Sequence, residues 1–158
     1  MDLIVDWEPY LADVPVPTET SIALAEQKAG ARFPDDIRPF FSAVPGKTTV
    51  PEDLEIGSRT VVLGPLILFT EDSGSAHYSY SFQKALEAMR NWGGNKAGGK
   101  LNFLPFADDT ENGYFAYDLR AGSGDPGVVY IQTELAPEDD GAILPAATSF
   151  TALLKQLK

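Results

Sequence analysis

The sequence from Leu104 to Leu119 reads LPFADDTENGYFAYDL, two apolar runs separated by an acidic turn. Asn112-Gly113 is a strong signal for a tight turn between strands, because both residue types tolerate the backbone angles that hairpins require. The aromatic residues on either side of the turn favour strands. The stretch therefore predicts a β-hairpin.

Towards the C-terminus, the pattern predicts another strand and then a closing helix. Val128 to Thr133 reads as the strand, which a glycine-rich turn at residues 122–127 joins to the hairpin. Residues 134–145 are predicted to form an acidic loop. Thr148 or Ser149 caps the last helix, whose apolar residues recur at the spacing i, i+3, i+4 and i+7: Phe150, Leu153, Leu154 and Leu157.

Towards the N-terminus, the sequence predicts three helices. The first begins near Thr18 and ends at Gly30. The second follows Pro34, and Pro45-Gly46 ends it. The third is clearest from Phe82 to Trp92. In each segment apolar residues recur at helical spacing, which indicates one buried face.

The remaining segments are predicted from their proline, glycine and β-branched content. Residues 1–17, with three prolines, form an extended N-terminal lead-in, and residues 47–58 form a polar loop. Residues 60–63 and 66–69 read as strand, and Gly64-Pro65 between them indicates a bend or an edge position. Glycines at 93–94 and 98–99 mark turns. The order of elements predicts an α+β fold, a single domain over residues 1–158 with a mainly antiparallel sheet and helices on one face.

The charge of the chain restricts its partners. The formal net charge is −11, and residues 1–57 and 102–158 carry 20 of the 23 acidic side chains. Such a charge opposes binding to nucleic acid and to anionic membrane surfaces. It favours a basic protein partner, although acidity that serves solubility alone explains the composition equally well. Without a signal peptide or an apolar run of ~20 residues, a cytoplasmic location is expected.

The sequence gives little support for a catalytic or metal site. Without cysteine, and with His77 as the single histidine, thiolate sites and sites with two imidazoles are excluded. Asp108 to Gly113 resembles the start of a calcium loop, but Leu119 stands at the position that needs a bidentate acid. The acid pairs at 35–36, 108–109 and 139–140 have the residue type that a glycosidase needs. Adjacent acids are common in an acidic protein, however, and are more often solvated loop or helix-start charge. The glycine clusters lack the pattern of a phosphate loop. No catalytic residue, cofactor or metal site is therefore predicted.

The chain resembles the SUKH superfamily, specifically its Smi–Knr branch. The resemblance lies in residues 22–30 with 33–41, in Asn102–Asp118, and in Gly127–Tyr130 with the final 147–154; the centre, 47–100, matches loosely. Phe33 replaces a usual leucine, and Pro45-Gly46 stands where asparagine-glycine is common. The resemblance implies an α+β domain without an active site, which binds other proteins. Many bacterial members are immunity proteins that block a toxin, often a nuclease, and fungal members regulate through protein contacts.

The resulting functional hypothesis is a non-catalytic immunity protein that neutralises a cognate, basic toxin domain. Two alternatives stay open: a housekeeping protein that binds a cellular enzyme or scaffold, and a hydrolase that uses paired acids. The oligomeric state is not determined by the sequence. The predicted contacts lie in loops of the sheet half and are too many for internal pairing: Asp108, Asp109, Glu111, Glu138, Asp139 and Asp140.

Overall fold

The structure is a computed structural model that describes residues 1–70, 76–92, 100–122 and 124–158. It confirms the α+β fold with antiparallel sheets. The described helices are α1 (Glu19–Ala29), α2 (Arg38–Ala43), α3 (Phe82–Trp92) and α4 (Phe150–Leu154), with a 3₁₀ turn at Tyr78–Tyr80. The described strands are β1 (Asp6–Pro9), β2 (Lys47–Val50), β3 (Asp53–Ile56), β4 (Arg59–Val62), β5 (Phe103–Asp108), β6 (Gly113–Asp118), β7 (Val128–Gln132) and β8 (Ile143–Ala147).

The strands form three antiparallel sheets. The largest has the order β5-β6-β7-β8, and each strand pairs with its neighbour in the sequence. The smaller sheets are the pairs β1-β2 and β3-β4. Consecutive pairing needs only short connections, so the acidic loops of the sequence are left at the ends of the large sheet.

The segment from Gly64 to Leu68 covers the outer edge of β5. The amides of Gly64 and Ile67 donate to the carbonyls of Asp108 and Phe106, both at 2.9 Å. Leu66 also bridges to Ala107. Pro65 has no N–H to contribute, so the segment makes isolated bridges and not the continuous strand predicted for residues 66–69. The second half of the β5 edge, residues 106–108, is nevertheless closed to pairing with another chain.

One hydrophobic core joins the helices to the sheets. The predicted helix faces are buried: Ile22, Ala25 and Ala29 of α1; Phe40 and Phe41 of α2; Phe82, Ala85, Leu86 and Met89 of α3; Phe150, Leu153 and Leu154 of α4. Phe106 lies between Tyr117 and Phe150, with ring centroids 5.0 Å and 5.7 Å away. Aromatic rings from three elements therefore meet at the centre of the molecule.

Helix boundaries follow the predicted signals closely. Thr18 accepts from the amide of Ser21, whose hydroxyl accepts from the amide of Thr18, so the two close a capping box. Gly30 adopts φ 69° and ends α1. Ser149, one of the two predicted caps, accepts from the amide of Ala152. α4 ends at Leu154, so Leu157 lies beyond it.

Three predictions for the loops need correction. Residues 47–58 are not a polar loop, because they hold β2 and β3. Part of the extended lead-in is β1, which pairs with β2 from Asp6 opposite Val50 to Pro9 opposite Lys47. The acidic loop is shorter than predicted, since β8 begins at Ile143. β1, β2 and β3 are short and carry polar residues, and β1 pairs with β2 across a stretch of sequence too long for a local pattern to indicate. The predicted turns at 93–94 and 98–99 lie outside the described residues.

Candidate functional site

Two acidic loops meet at one end of the four-stranded sheet. One is the β5–β6 turn at 109–112, and the other is the β7–β8 connection at 133–142. The side chain of Asn112 donates to Glu134 at 2.6 Å, and the hydroxyl of Thr133 donates to the carbonyl of Asn112. Trp92 of α3 also donates its ring N–H to the carbonyl of Leu135 at 2.7 Å. The structure thus places the two predicted acidic groups side by side.

Asp109 holds the first loop together from inside. The residue is only 6% exposed, and Oδ1 accepts from the amides of Glu111 and Gly113 at 2.8 and 2.9 Å. Oδ2 accepts from the hydroxyl of Tyr130 on β7. Asp109 was predicted as a contact because the acidic residues were too many to pair internally. That reason is wrong for Asp109, because the fold supplies internal partners for this carboxylate. Its carboxylate stabilises the turn, and its contact with a partner stays a prediction.

Position 113 requires glycine because neighbouring side chains lie very close to its Cα, and not because of the backbone conformation of the turn. A Cβ on Gly113 would lie 2.5 Å from Oδ2 of Asp109 and 2.6 Å from the hydroxyl of Tyr130. The residue with the left-handed backbone in this turn is Thr110, at φ 66°. The Asn112-Gly113 signal therefore predicted the hairpin correctly, although the glycine leaves space for the Asp109–Tyr130 pair.

Asp108 is a partly buried carboxylate beside Gly64, Thr110 and Tyr114. Burial raises its pKa from 3.8 to about 6, and the charge of Asp109 adds to this effect. The amide of Thr110, which donates to Oδ1 at 3.1 Å, and the charge of Lys84 act in the opposite direction. Burial also raises the pKa of Tyr114, which lies opposite Asp108 on β6, to about 12, and the charge of Asp108 contributes. The fold thus places the Asp108 carboxylate where its charged form is incompletely solvated.

Replacing Asp108 with asparagine is expected to stabilise the protein at neutral pH. The folded pKa of about 6 exceeds the ordinary 3.8, so this group contributes stability below pH 4 that is lost as the pH rises through 6. The difference between these two pKa values corresponds to a change of at most roughly 3 kcal/mol in the free energy of unfolding. The asparagine side chain can still accept from the amide of Thr110. In urea titrations, Asp108→Asn should exceed the wild type by roughly 2 kcal/mol at pH 8 and equal it near pH 4. A pH-independent difference would contradict the assignment.

The other predicted contacts are open to solvent. Glu111, Glu138, Asp139 and Asp140 are all exposed. Asp139 also closes a turn, because its Oδ2 accepts from the amide of Ala136 at 3.0 Å. Within the described part of the chain, the carboxylates of Glu111, Glu138 and Asp140 make no hydrogen bond or ion pair. These three residues together are named the acidic surface.

The acid pairs that could serve hydrolysis have different surroundings. Asp35 is exposed and pairs with Arg32 at 3.3 Å. Oδ2 of Asp36 accepts from the amide and the hydroxyl of Thr151, at 3.0 and 3.2 Å, and so binds the start of α4. Sequence reasoning missed this contact, because no pattern links two residues 115 positions apart. Over the described ranges, no three side chains of the His, Cys, Asp or Glu types converge as a metal site.

Comparison with known families extends over most of the chain. The model of the SMI1 / KNR4 family (SUKH-1) matches residues 16–156. Domains of this family are known for immunity and protein-binding roles and are generally non-catalytic. Comparison with curated proteins gives no significant match. In the part of the chain that the structure describes, no helix has the length and apolar character needed to cross a bilayer. With its α+β fold and a family match that spans nearly its whole length, the chain belongs to the SMI1 / KNR4 family (SUKH-1).

Proposed function

We propose that this protein is a cytoplasmic immunity protein that binds and blocks a basic toxin domain. The observation that carries the proposal is the acidic surface, Glu111, Glu138 and Asp140, which two hydrogen-bonded loops hold at one end of the sheet. The toxin domain would have nucleic acid as its substrate. It would bind the acidic surface in place of the phosphate groups of that substrate. An interface of standard size would bury ~800 Å² on the immunity protein.

The anchoring of the two acidic loops supports this role. The loops are tied to β7 through Asp109 and Tyr130 and to α3 through Trp92. A loop backbone that is already positioned loses little conformational freedom on binding. A net charge of −11 also attracts a basic partner over a distance comparable with the Debye length, which raises the association rate. Arg59 borders the same region and limits the negative potential there.

The function is tested by capture followed by rescue. The tagged protein is used to isolate partners from the source cells, and each captured basic domain is then expressed with and without this protein. An immunity protein restores growth to cells that express one specific toxin domain. Capture of a cellular enzyme or scaffold, without any toxic partner that is neutralised, would favour a regulatory role and contradict the proposal.

Neutralising the acidic surface is expected to slow association with the captured toxin domain. The triple variant Glu111→Gln, Glu138→Gln, Asp140→Asn changes the net charge from −11 to −8. Its association rate constant should fall by roughly tenfold at low salt, with a smaller change in the dissociation rate, because exposed charges act mainly on encounter. Stopped-flow measurements over a range of ionic strength give both values.

A matched control separates the surface from the total charge. Glu8→Gln, Glu52→Gln and Glu87→Gln remove the same number of exposed carboxylates away from the two loops. This control should retain most of the wild-type association rate. Equal slowing in the two triple variants would mean that net charge alone directs binding, and the acidic surface would then have no special role.

A further inference from the structure

A polar cleft lies at the other end of β6 from the acidic surface. It has a volume of about 560 Å³ and is bordered by the α1–α2 connection, by residues 125–126 before β7 and by the start of α4. Because Tyr117 and Gly113 are four residues apart on β6, the cleft and the turn lie about 13 Å apart along the strand. The polar residues of its lining are Arg32, Asp35, Asp36, Tyr117, Asp125 and Ser149, together with Thr148.

Tyr117 brings an unsatisfied hydroxyl to this cleft. The residue is 0% exposed, and its ring packs against Phe106 with a centroid distance of 5.0 Å. Its hydroxyl oxygen is buried and has no hydrogen-bond partner among the described residues. Tyr117 and Asp36 line the same cleft, where burial raises the pKa of Tyr117 and the charge of Asp36 raises it further. Since buried hydroxyls are normally hydrogen-bonded, this one has an unused hydrogen-bonding capacity beside the cleft.

The charge of the cleft defines the chemistry of that ligand. Asp35, Asp36 and Asp125 contribute three carboxylates, against one guanidinium from Arg32. Asp36 uses Oδ2 for Thr151, while Asp35 and Asp125 are less enclosed. Each of these carboxylates can accept hydrogen bonds, as can the hydroxyl of Tyr117. A ligand with several donors, positive charge and a flat apolar face fits them best, and a guanidinium has five donors in one plane.

We infer that this cleft takes the guanidinium of an arginine side chain from the protein partner, with Tyr117 as an acceptor at its floor. The inference rests on the proposed function for the existence of a basic partner. Phe33, Pro34 and Pro126 supply apolar walls for the flat faces of the group. A peptide-borne arginine is favoured over free arginine, because the α-carboxylate of the free amino acid meets three negative charges. The exposed pair Arg32–Asp35, 3.3 Å apart, competes weakly for the same site.

Binding of acetyl-arginine amide to the isotope-labelled full chain, followed by NMR, tests the inference. A ligand of this size should bind with a Kd of roughly 1 mM. The largest shifts are expected at the amides of Tyr117, Gly127 and Ser149. Acetyl-citrulline amide has the same shape without the charge and should not bind measurably. Free L-arginine should bind more weakly than the amide.

Two variants and a control make the test specific. Tyr117→Phe removes only the unpartnered hydroxyl, so its unfolding midpoint should equal or exceed that of the wild type, while Kd rises at least roughly fivefold. Arg32→Gln removes the competing cation and should lower Kd. Glu87→Gln, at an exposed position of α3 outside both proposed binding sites, should leave Kd unchanged. The inference is overturned by absence of binding, by shifts centred on 109–113 and 134–140, by equal citrulline binding, or by unchanged affinity in Tyr117→Phe.

The two proposals can fail separately. If the wild type neutralises a toxin domain and Tyr117→Phe does so equally well, the arginine site is wrong and the immunity function stands. If acetyl-arginine amide binds in the cleft but no toxic partner exists, the cleft stands and the immunity function is wrong.

Discussion

Asp109→Ala is expected to destabilise the protein by about 4 kcal/mol, a large fraction of the stability of an ordinary domain. The change removes the acceptor for the amides of Glu111 and Gly113 and for the hydroxyl of Tyr130. It leaves these donors buried or partly buried without a partner. Urea denaturation, monitored by tryptophan fluorescence, measures the loss as a lower midpoint at constant slope.

Comparison variants connect this loss with the Asp109 contacts. Tyr130→Phe removes one donor and should cost about 1.5 kcal/mol on its own. In the double variant the combined loss should be smaller than the sum of the two single losses, because both report the same bond. Asp140→Ala, in the neighbouring loop, should change stability by less than about 0.5 kcal/mol. A small effect of Asp109→Ala would mean that the turn finds other acceptors, and that its geometry does not depend on this carboxylate.

Phe150→Ala is expected to destabilise the protein by a similar amount, about 4 kcal/mol. Phe150 is 0% exposed, and its ring contacts those of Phe40 and Phe106 at centroid distances of 5.0 and 5.7 Å. The truncation leaves a cavity where α2, α4 and β5 meet. Because α4 has only five residues, its position depends on this side chain and on the contact of Asp36 with Thr151.

Two milder changes of α4 and its surroundings serve as controls. Phe150→Leu keeps most of the apolar volume and should cost less than about 2 kcal/mol. Leu157→Ala, beyond the end of the helix and only partly buried, should cost about 1 kcal/mol. Urea denaturation of the three variants ranks them. If Phe150→Ala and Leu157→Ala were equally harmful, the ring cluster would not be the part of the core that holds α4.

Local signals were sufficient for the helices and for the longer strands. The spacing of Phe82, Ala85, Leu86 and Met89 predicts α3, and the structure confirms its bounds and its buried face. These predictions succeed because helical periodicity, capping and turn propensity act between residues that are close in sequence.

The acidic residues were predicted as a set, although the fold gives them different roles. Asp109 and Asp36 bind backbone groups inside the protein, Asp108 is partly buried, and the carboxylates of Glu111, Glu138 and Asp140 face solvent. The amino-acid composition shows only that acidic residues are numerous, and it does not show the role of each one. The partner of each carboxylate depends on which strands pair, so the sequence could not separate structural acids from exposed ones.

The sequence alone determined the α+β class, the limits of α1 and α3, the hairpin and the family resemblance, because each rests on residue order within short windows. Only the tertiary structure decided that the two acidic loops adjoin, that residues 6–9 pair with 47–50, and that Tyr117 meets Asp36 and Asp125 around one cleft. The physical reason is that these contacts join residues far apart in the chain. They form only when burial of the common core brings their elements together.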